Sequence, residues 1–405
     1  MPDIIEKIPE KTQTKTDGNA RGLRKRQICI FSIFVILLLT SVVSLNYFVN
    51  PYHVFRTNIG LIGTYDGTFD REILYPQIKL DKNKDFYGAI CGSSSVMINI
   101  SDETIKKYFP EKNVCKLSVP VISFSEQYDA ISNFVKLNPE VKKIIVSVDF
   151  SEGTEPVDKN LLPKFSGANL NLQELYFLLL SGQTLHYSWG NVMLTYRELW
   201  YPSIMFGLKK NKFFGKFKPF RDYKQIRIDD HNRFPRARYT DWNEKKLKPS
   251  LFSVLKNIKD FCEKNGIEVV FYTTPAHAYT LYDIYYQGVY EDFQNFKREF
   301  VKIAPLYDFL YISDYSKEPV SVKNPYWIDA SHADHVLGDE IVKKVVTGKG
   351  SYGRWITKEN VEKYLQQDKK DLLLYANQHK NDLKKFTSYE HMDLTTDNDI
   401  IYIYE

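Results

Sequence analysis

Cysteine is scarce. Four occur in the 405 residues, at positions 29, 91, 115 and 262, and none belongs to a Cys-x-x-Cys pair. That excludes a zinc finger or ribbon, whose tetrahedral site needs closely spaced thiolates. Cys29 lies in an apolar run, which leaves an odd number elsewhere at irregular spacing. Cys91 and Cys115 therefore read as buried thiols and not as a disulfide. An excess of one charge is also missing. Fifty-five Lys and Arg against 50 Asp and Glu leave a net +5, too little over so long a chain to attract a polyanion, so no nucleic-acid partner is expected. No carboxylate or histidine cluster stands at metal-binding spacing, and neither a metal nor an organic cofactor is expected. A glycosyl or phosphate-polymer transferase, which would need such groups, is disfavoured. Repeats and low-complexity tracts are absent. Aromatics are plentiful instead, at 15% with 29 tyrosines. They fit an aromatic-rich core or a surface that stacks on sugar rings, and the sequence leaves both open.

One uncharged apolar run stands out, "ICIFSIFVILLLTSVVSLNYFV" from Ile28 to Val49. At about 1.5 Å per residue a helix of this length spans a hydrocarbon core of roughly 30 Å. A cleaved secretory signal has a shorter apolar region and a small-residue cleavage site, and "SLNYFVNPYH" has no such site. The run is expected to be an uncleaved signal anchor. Arg21, Arg24, Lys25 and Arg26 precede it. Basic flanks stay cytoplasmic, so residues 1–27 form a cytoplasmic tail, 28–49 a single-pass anchor, and the main domain faces outward.

Residues 50–83 read as a linker, with turn signals such as "YDGTF" and "DKNKD". Strand and helix patterns then alternate. "FYGAIC", "NVCKLSV", "KKIIVSVDF", "IEVVFYTT" and "LYDFLYI" are short apolar strands. Between them, Ser101 caps a helix with two acids in its first turn, and Ser123 with Glu126 fits a capping box. Residues 250–266 are amphipathic and end at Gly266, and a further helix falls near 289–303. Apolar strands alternating with helices predict an α/β fold, a parallel sheet with helices on both faces. Residues 151–249 break the alternation and read as an insertion, expected to cap the site. Its basic-aromatic run, Lys209 to Arg227, fits either a solvated hairpin or contact with anionic polymer or headgroups. Residues 347–405 read as a C-terminal helical extension with a thin apolar face.

In parallel sheets, reacting groups gather at the carboxyl ends of the strands. "CGSSSV" follows the first strand there, with Ser93, Ser94 and Ser95 as candidate nucleophiles. A serine hydroxyl needs a base to react. "YWIDASHADHV" offers Asp329 and His332, three residues apart, and a shifted rival pair, Asp334 and His335. A carboxylate so placed holds the imidazole tautomer while the other ring nitrogen takes the serine proton. The following helix is expected to begin near Gly338. Asp149 and His277 each stand just beyond a strand: Asp149 orients the site or caps the next turn, and His277 contacts substrate or is a satisfied loop residue.

An early Gly-Ser-Ser after a strand and a late Asp-x-x-His before a helix, spread over residues 86–346, resemble the SGNH (GDSL-like) hydrolase superfamily. The closest resemblance is to its membrane-anchored branch, which includes the D-alanyl-lipoteichoic acid protein DltD and alginate O-acetylation proteins. The resemblance implies an SGNH-like (flavodoxin-like) domain over residues 84–346 with Ser94 as nucleophile, His332 as base and Asp329 as its orienter. Ser93, Ser95, Asp149 and His277 would face substrate. It implies an outward-facing serine esterase or O-acyltransferase acting on acylated envelope polysaccharide or glycolipid, with a membrane-bound O-acyltransferase as partner. Two features depart from the pattern. The loop "KLSVPVISFSEQ" has no glycine, and "VDFSEGTE" has no asparagine, where the family finds two oxyanion donors. A non-catalytic envelope scaffold on a degenerate SGNH fold is the alternative these departures favour.

Overall fold

The structure, a computed structural model, describes residues 13–52, 54–55, 74–80, 85–119, 122–150, 169–195, 247–321, 323–328 and 330–379. In chain order the described helices are α1 (Gln13–Val49), α2 (Leu74–Leu80), α3 (Ser94–Asn99), α4 (Asp102–Tyr108), α5 (Phe124–Leu137), α6 (Leu172–Leu180) and α7 (Gly182–Thr195). They continue as α8 (Ser250–Lys264), α9 (Ala278–Tyr286), α10 (Tyr290–Ile303), α11 (His335–Thr347) and α12 (Val361–Gln378). The strands are β1 (Phe86–Gly92), β2 (Asn113–Ser118), β3 (Lys143–Ser147), β4 (Glu268–Tyr272), β5 (Leu306–Asp308) and β6 (Arg354–Ile356). Contacts divide the chain into two units, Met1–Thr68 with Asn169–Asn211, and Phe69–Ala168 with Lys212–Glu405.

The first unit is built on α1. Its segment Gly22–Val49 is long and apolar enough to cross a membrane, and the most apolar window of that segment buries nothing against the rest of the chain. The helix is described from Gln13, well before the apolar run and inside the stretch read as the cytoplasmic tail. Extending a formed helix needs no new nucleus, so polar residues join it at little cost. Helices α6 and α7 come from the sequence's insertion and pack on α1. Residues 151–168 and 196–246, including the basic-aromatic run, lie outside the described residues, as do 56–73 and 380–405. The expected cap over the site is therefore described only as this helical pair, which belongs with the anchor.

The second unit is a six-stranded sheet in the order β2-β1-β3-β4-β5-β6, parallel except for β6, which runs antiparallel to β5. Alternate strand residues enter two separate cores. Ala89, Cys91, Ile144 and Val146 join the core formed with α5, α8, α10 and α12. Ile90 and Ile145 join the other, with α3, α4 and α11. Burial on both faces explains why these strands read as unbroken apolar runs. Each of the buried Ile and Val side chains contributes about 1.5–3 kcal/mol when withdrawn from water.

Two boundaries differ from expectation. Leu74 and Ile78 of α2 are buried in the first core, so the linker's last turn is part of the domain. The domain also does not end at 346. Strand β6 pairs with β5, and Val361, Leu365 and Leu372 of α12 are buried in the core. A buried ion cluster fastens this end. Lys297 donates to Asp308 at 3.0 Å and Asp368 at 3.4 Å, and Arg354 reaches the same two carboxylates at 2.8 and 2.5 Å. Burial alone pushes the Asp308 carboxyl up, but Lys297 and Arg354 outweigh it and hold it below the usual range.

Candidate active site

The order β2-β1-β3 places a topological switch point at β1, where connections leave to opposite sides and open a crevice beyond the strand ends. Gly92 ends β1. A Cβ there would overlap the Ser147 hydroxyl of β3 and a Val96 methyl of α3, so only glycine lets the strand end and the helix start approach so closely. Ser93 caps α3. It has extended backbone angles, φ −82° and ψ −162°, and its hydroxyl accepts from the Ser95 amide at 3.4 Å. Ser94 is the first helical residue. First-turn amides have no partner within their helix, so the Ser94 N–H has none there.

His332 lies 238 positions away in sequence, and its Nε2 is 2.9 Å from Ser94 Oγ. With Nδ1 protonated, Nε2 accepts the serine proton in this hydrogen bond. The backbone around His332 is closely held. Trp327 and Ala333 form an antiparallel bridge, the Ile328 amide donates to the His332 carbonyl at 3.0 Å, and the Asp334 amide donates to the Tyr326 carbonyl at 2.7 Å. The Ala330 carbonyl accepts from the His277 amide at 3.0 Å and from the Thr280 hydroxyl at 2.8 Å. Asp329, read as the orienting carboxylate, lies outside the described residues. Its neighbours Ile328 and Ala330 are both buried.

The rival pair does other work. Asp334 caps α11, accepting from the His335 amide at 2.7 Å, and His335 Nδ1 sits 3.4 Å from the Asn99 carbonyl, not beside a serine. Helix α11 starts at His335 and not near Gly338, which falls inside it. A Cβ at Gly338 would overlap the Asn99 carbonyl oxygen. The glycine marks a close crossing of α11 over the end of α3, and not a helix start.

Three of the four residues expected to face substrate are committed elsewhere, and the fourth is buried. Ser93 donates to Asp149 Oδ2 at 3.2 Å while capping α3, and Ser95 is buried. His277 is buried, caps α9 through Nδ1, and places Nε2 2.9 Å from the Glu318 carbonyl. Both ring nitrogens are engaged, and the tie to the His332 loop is its backbone amide, which donates to the Ala330 carbonyl. Asp149, just beyond β3, is buried and accepts from the Ser93 hydroxyl and from the amide and hydroxyl of Thr274. Burial pushes its carboxyl up to about 6, against the opposing pull of the Thr274 and Ser93 hydrogen bonds and of the His332 charge. That last influence places Asp149 in the electrostatic field of the imidazole.

Thr274 escaped the reading of the sequence as a site residue, and the role of Gly338 was misassigned. Thr274 follows β4 in "YTT", a strand-end position where site residues concentrate. Gly338 gave a signal that was misread as a boundary. In the loop "KLSVPVISFSEQ", Pro120 and Val121 lie outside the described residues, and the Val119 amide is used on the Gly92 carbonyl at 3.3 Å. A polar-aromatic cleft of about 560 Å³, lined by Tyr311, Tyr315, Tyr352 and Tyr375 among others, includes neither Ser94 nor His332. No group of three or more potential metal ligands occurs among the described residues.

No protein-family model matches the chain, and no curated relative matches it.

Proposed function

We propose that the chain is a membrane-anchored serine acyl-transfer enzyme, an esterase or O-acyltransferase, on an SGNH-like α/β scaffold. The observation that carries the reading is the 2.9 Å contact between Ser94 Oγ and His332 Nε2, made across 238 residues at the switch point of the sheet. Two remote loops converging on a nucleophile–base hydrogen bond is the arrangement that nucleophilic catalysis requires.

In this reading Ser94 Oγ attacks an ester carbonyl as its proton passes to His332 Nε2. The carbonyl oxygen gains the negative charge, and the Ser94 amide is the donor the chain offers to it. Collapse of the tetrahedral intermediate breaks the bond to the leaving alkoxide, which takes the proton from His332. The acyl-serine is then attacked by water or a sugar hydroxyl, with His332 again removing the proton and Ser94 regaining it. Asp329 is assigned as the orienter of His332. Asp149 adds negative charge opposite the imidazolium when ionised and ties that charge to Ser93. The substrate class proposed is an acylated envelope polysaccharide or glycolipid, with a membrane-bound O-acyltransferase as acyl source. The span of α1 supports a substrate near a membrane.

The test is the full chain in detergent with p-nitrophenyl acetate. A burst of one nitrophenolate per chain and an acetyl group on Ser94 are expected, both lost in Ser94→Ala. Turnover equal in wild type and Ser94→Ala would overturn the reading.

A further inference from the structure

The stretch 169–195 is chemically unlike the rest of the chain. In a sequence that is 26% charged, its 27 residues hold a single Asp, Glu, Lys or Arg, Glu174. Even that carboxylate is buried and spent on a capping box with Asn171, at 2.8 Å in both directions. A surface hairpin in water would carry several charges, since charged residues dominate solvated helix faces. Helices α6 and α7 expose Leu172 at 86%, Tyr176 at 60% and Trp189 at 55%.

This hairpin is fixed to one place along α1. The Asn46 amide donates to the Leu179 carbonyl at 2.8 Å, and the Thr184 hydroxyl donates to Tyr52 Oη at 3.3 Å while Tyr52 stacks on Phe177 at 5.5 Å. Asn46 and Tyr52 bracket the end of the apolar helix at Val49. Counting from Ile28 at about 1.5 Å per residue, a hydrocarbon core of roughly 30 Å is used up near Tyr47. The docking level is therefore the membrane–water boundary. Tyr47 and Phe48 are exposed at the same level. Tyr and Trp favour this zone, where an apolar ring and a polar tip are both satisfied.

We propose that α6 and α7 form an interfacial helical hairpin that lies on the lipid surface, with Leu172, Tyr176 and Trp189 facing the boundary between headgroups and acyl chains. The occupant of this face is lipid. The hairpin exposes apolar side chains at the level where the span ends, and its lack of charge lowers the cost of withdrawing it from water. The span gives the chain an attachment point, and the hairpin gives that end of the span a broad foot. The proposal rests on the span and not on the serine chemistry.

The test places an environment-sensitive fluorophore on a cysteine at each of the three positions. Leu172→Cys, Tyr176→Cys and Trp189→Cys are each made in a Cys29→Ala, Cys115→Ala background, where the remaining thiols, Cys91 and Cys262, are buried. The full chain is reconstituted in phosphatidylcholine–phosphatidylglycerol vesicles, with Lys363→Cys as the water-exposed reference. Blue-shifted emission at all three positions is expected. Lipids brominated near the headgroup end of the acyl chain should quench it strongly, and aqueous iodide weakly. Iodide quenching equal to that at position 363 would overturn the proposal. So would shielding from both quenchers, which would mean that protein covers the face. Without any label, the part of the native tryptophan emission quenched by those lipids should fall in Trp189→Phe. An unchanged quenched fraction would count against the hairpin.

Discussion

Replacing Asp149 with asparagine separates what this carboxylate costs the fold from what it gives the site. Burial moves the carboxyl from its ordinary 3.8 to about 6. At roughly 1.4 kcal/mol per pKa unit, ionising it in the folded protein costs about 3 kcal/mol more than in the unfolded chain. The folded state binds the proton more tightly, so between these two values it holds more protons than the unfolded state, and stability falls as pH rises. The contribution is fully present below about pH 4 and lost above about pH 6. Asp149→Asn keeps a neutral side chain of the same shape at every pH. The unfolding free energy of wild type minus that of Asp149→Asn should therefore drop by about 3 kcal/mol from about pH 3 to about pH 7. Urea titrations of the full chain in detergent, followed by tryptophan emission, measure it. The same substitution should lower kcat/KM near neutral pH, because the neutral amide no longer opposes the imidazolium charge on His332. A difference that stays constant across this range, or that rises with pH, would refute the burial argument.

Gly338→Ala would drive a methyl group into the Asn99 carbonyl and force α11 off α3. A loss of about 1–3 kcal/mol is expected, with a larger proportional fall in kcat/KM, since Ser94 and His332 flank these two helices. Stability and rate measured on one preparation distinguish the two effects. Lys297→Met would leave Asp308 and Asp368 buried without one of their two cations. It should cost about 3–5 kcal/mol, the penalty for breaking a buried pair from one side. Adding Asp308→Asn should recover part of that loss, because it removes the stranded charge.

Much of the second unit was legible because its strands are buried on both faces and its helices carry local start signals. Ser123 with Glu126 forms the capping box that the spacing predicts, and Gly266 leaves α8 with φ +67°, the left-handed turn that suits glycine. The serine turn and the His332 loop were legible as residue types at a strand end and before a helix, and the structure brings Ser94 Oγ and His332 Nε2 to 2.9 Å. Other features were hidden for physical reasons. Strand β6 has three residues, too short for any period to appear, whereas β5 lies within the strand expected at "LYDFLYI". Helix α3 starts in serines, which are poor helix formers and favour caps. The ion cluster joins Lys297, Asp308, Arg354 and Asp368, and no local pattern links them. His277 and Ser93 were nominated for substrate by position, yet both cap helices, a role that depends on the backbone path and not on residue type.

The central claim is that His332 activates the hydroxyl of Ser94. The direct measurement is labelling of the full chain with a fluorophosphonate, followed by mass mapping of the adduct among Ser93, Ser94 and Ser95. A single adduct on Ser94 is expected, abolished in His332→Ala and retained in His335→Ala. A folded protein that takes no label, or one whose adduct sits on another serine or survives His332→Ala, would contradict it.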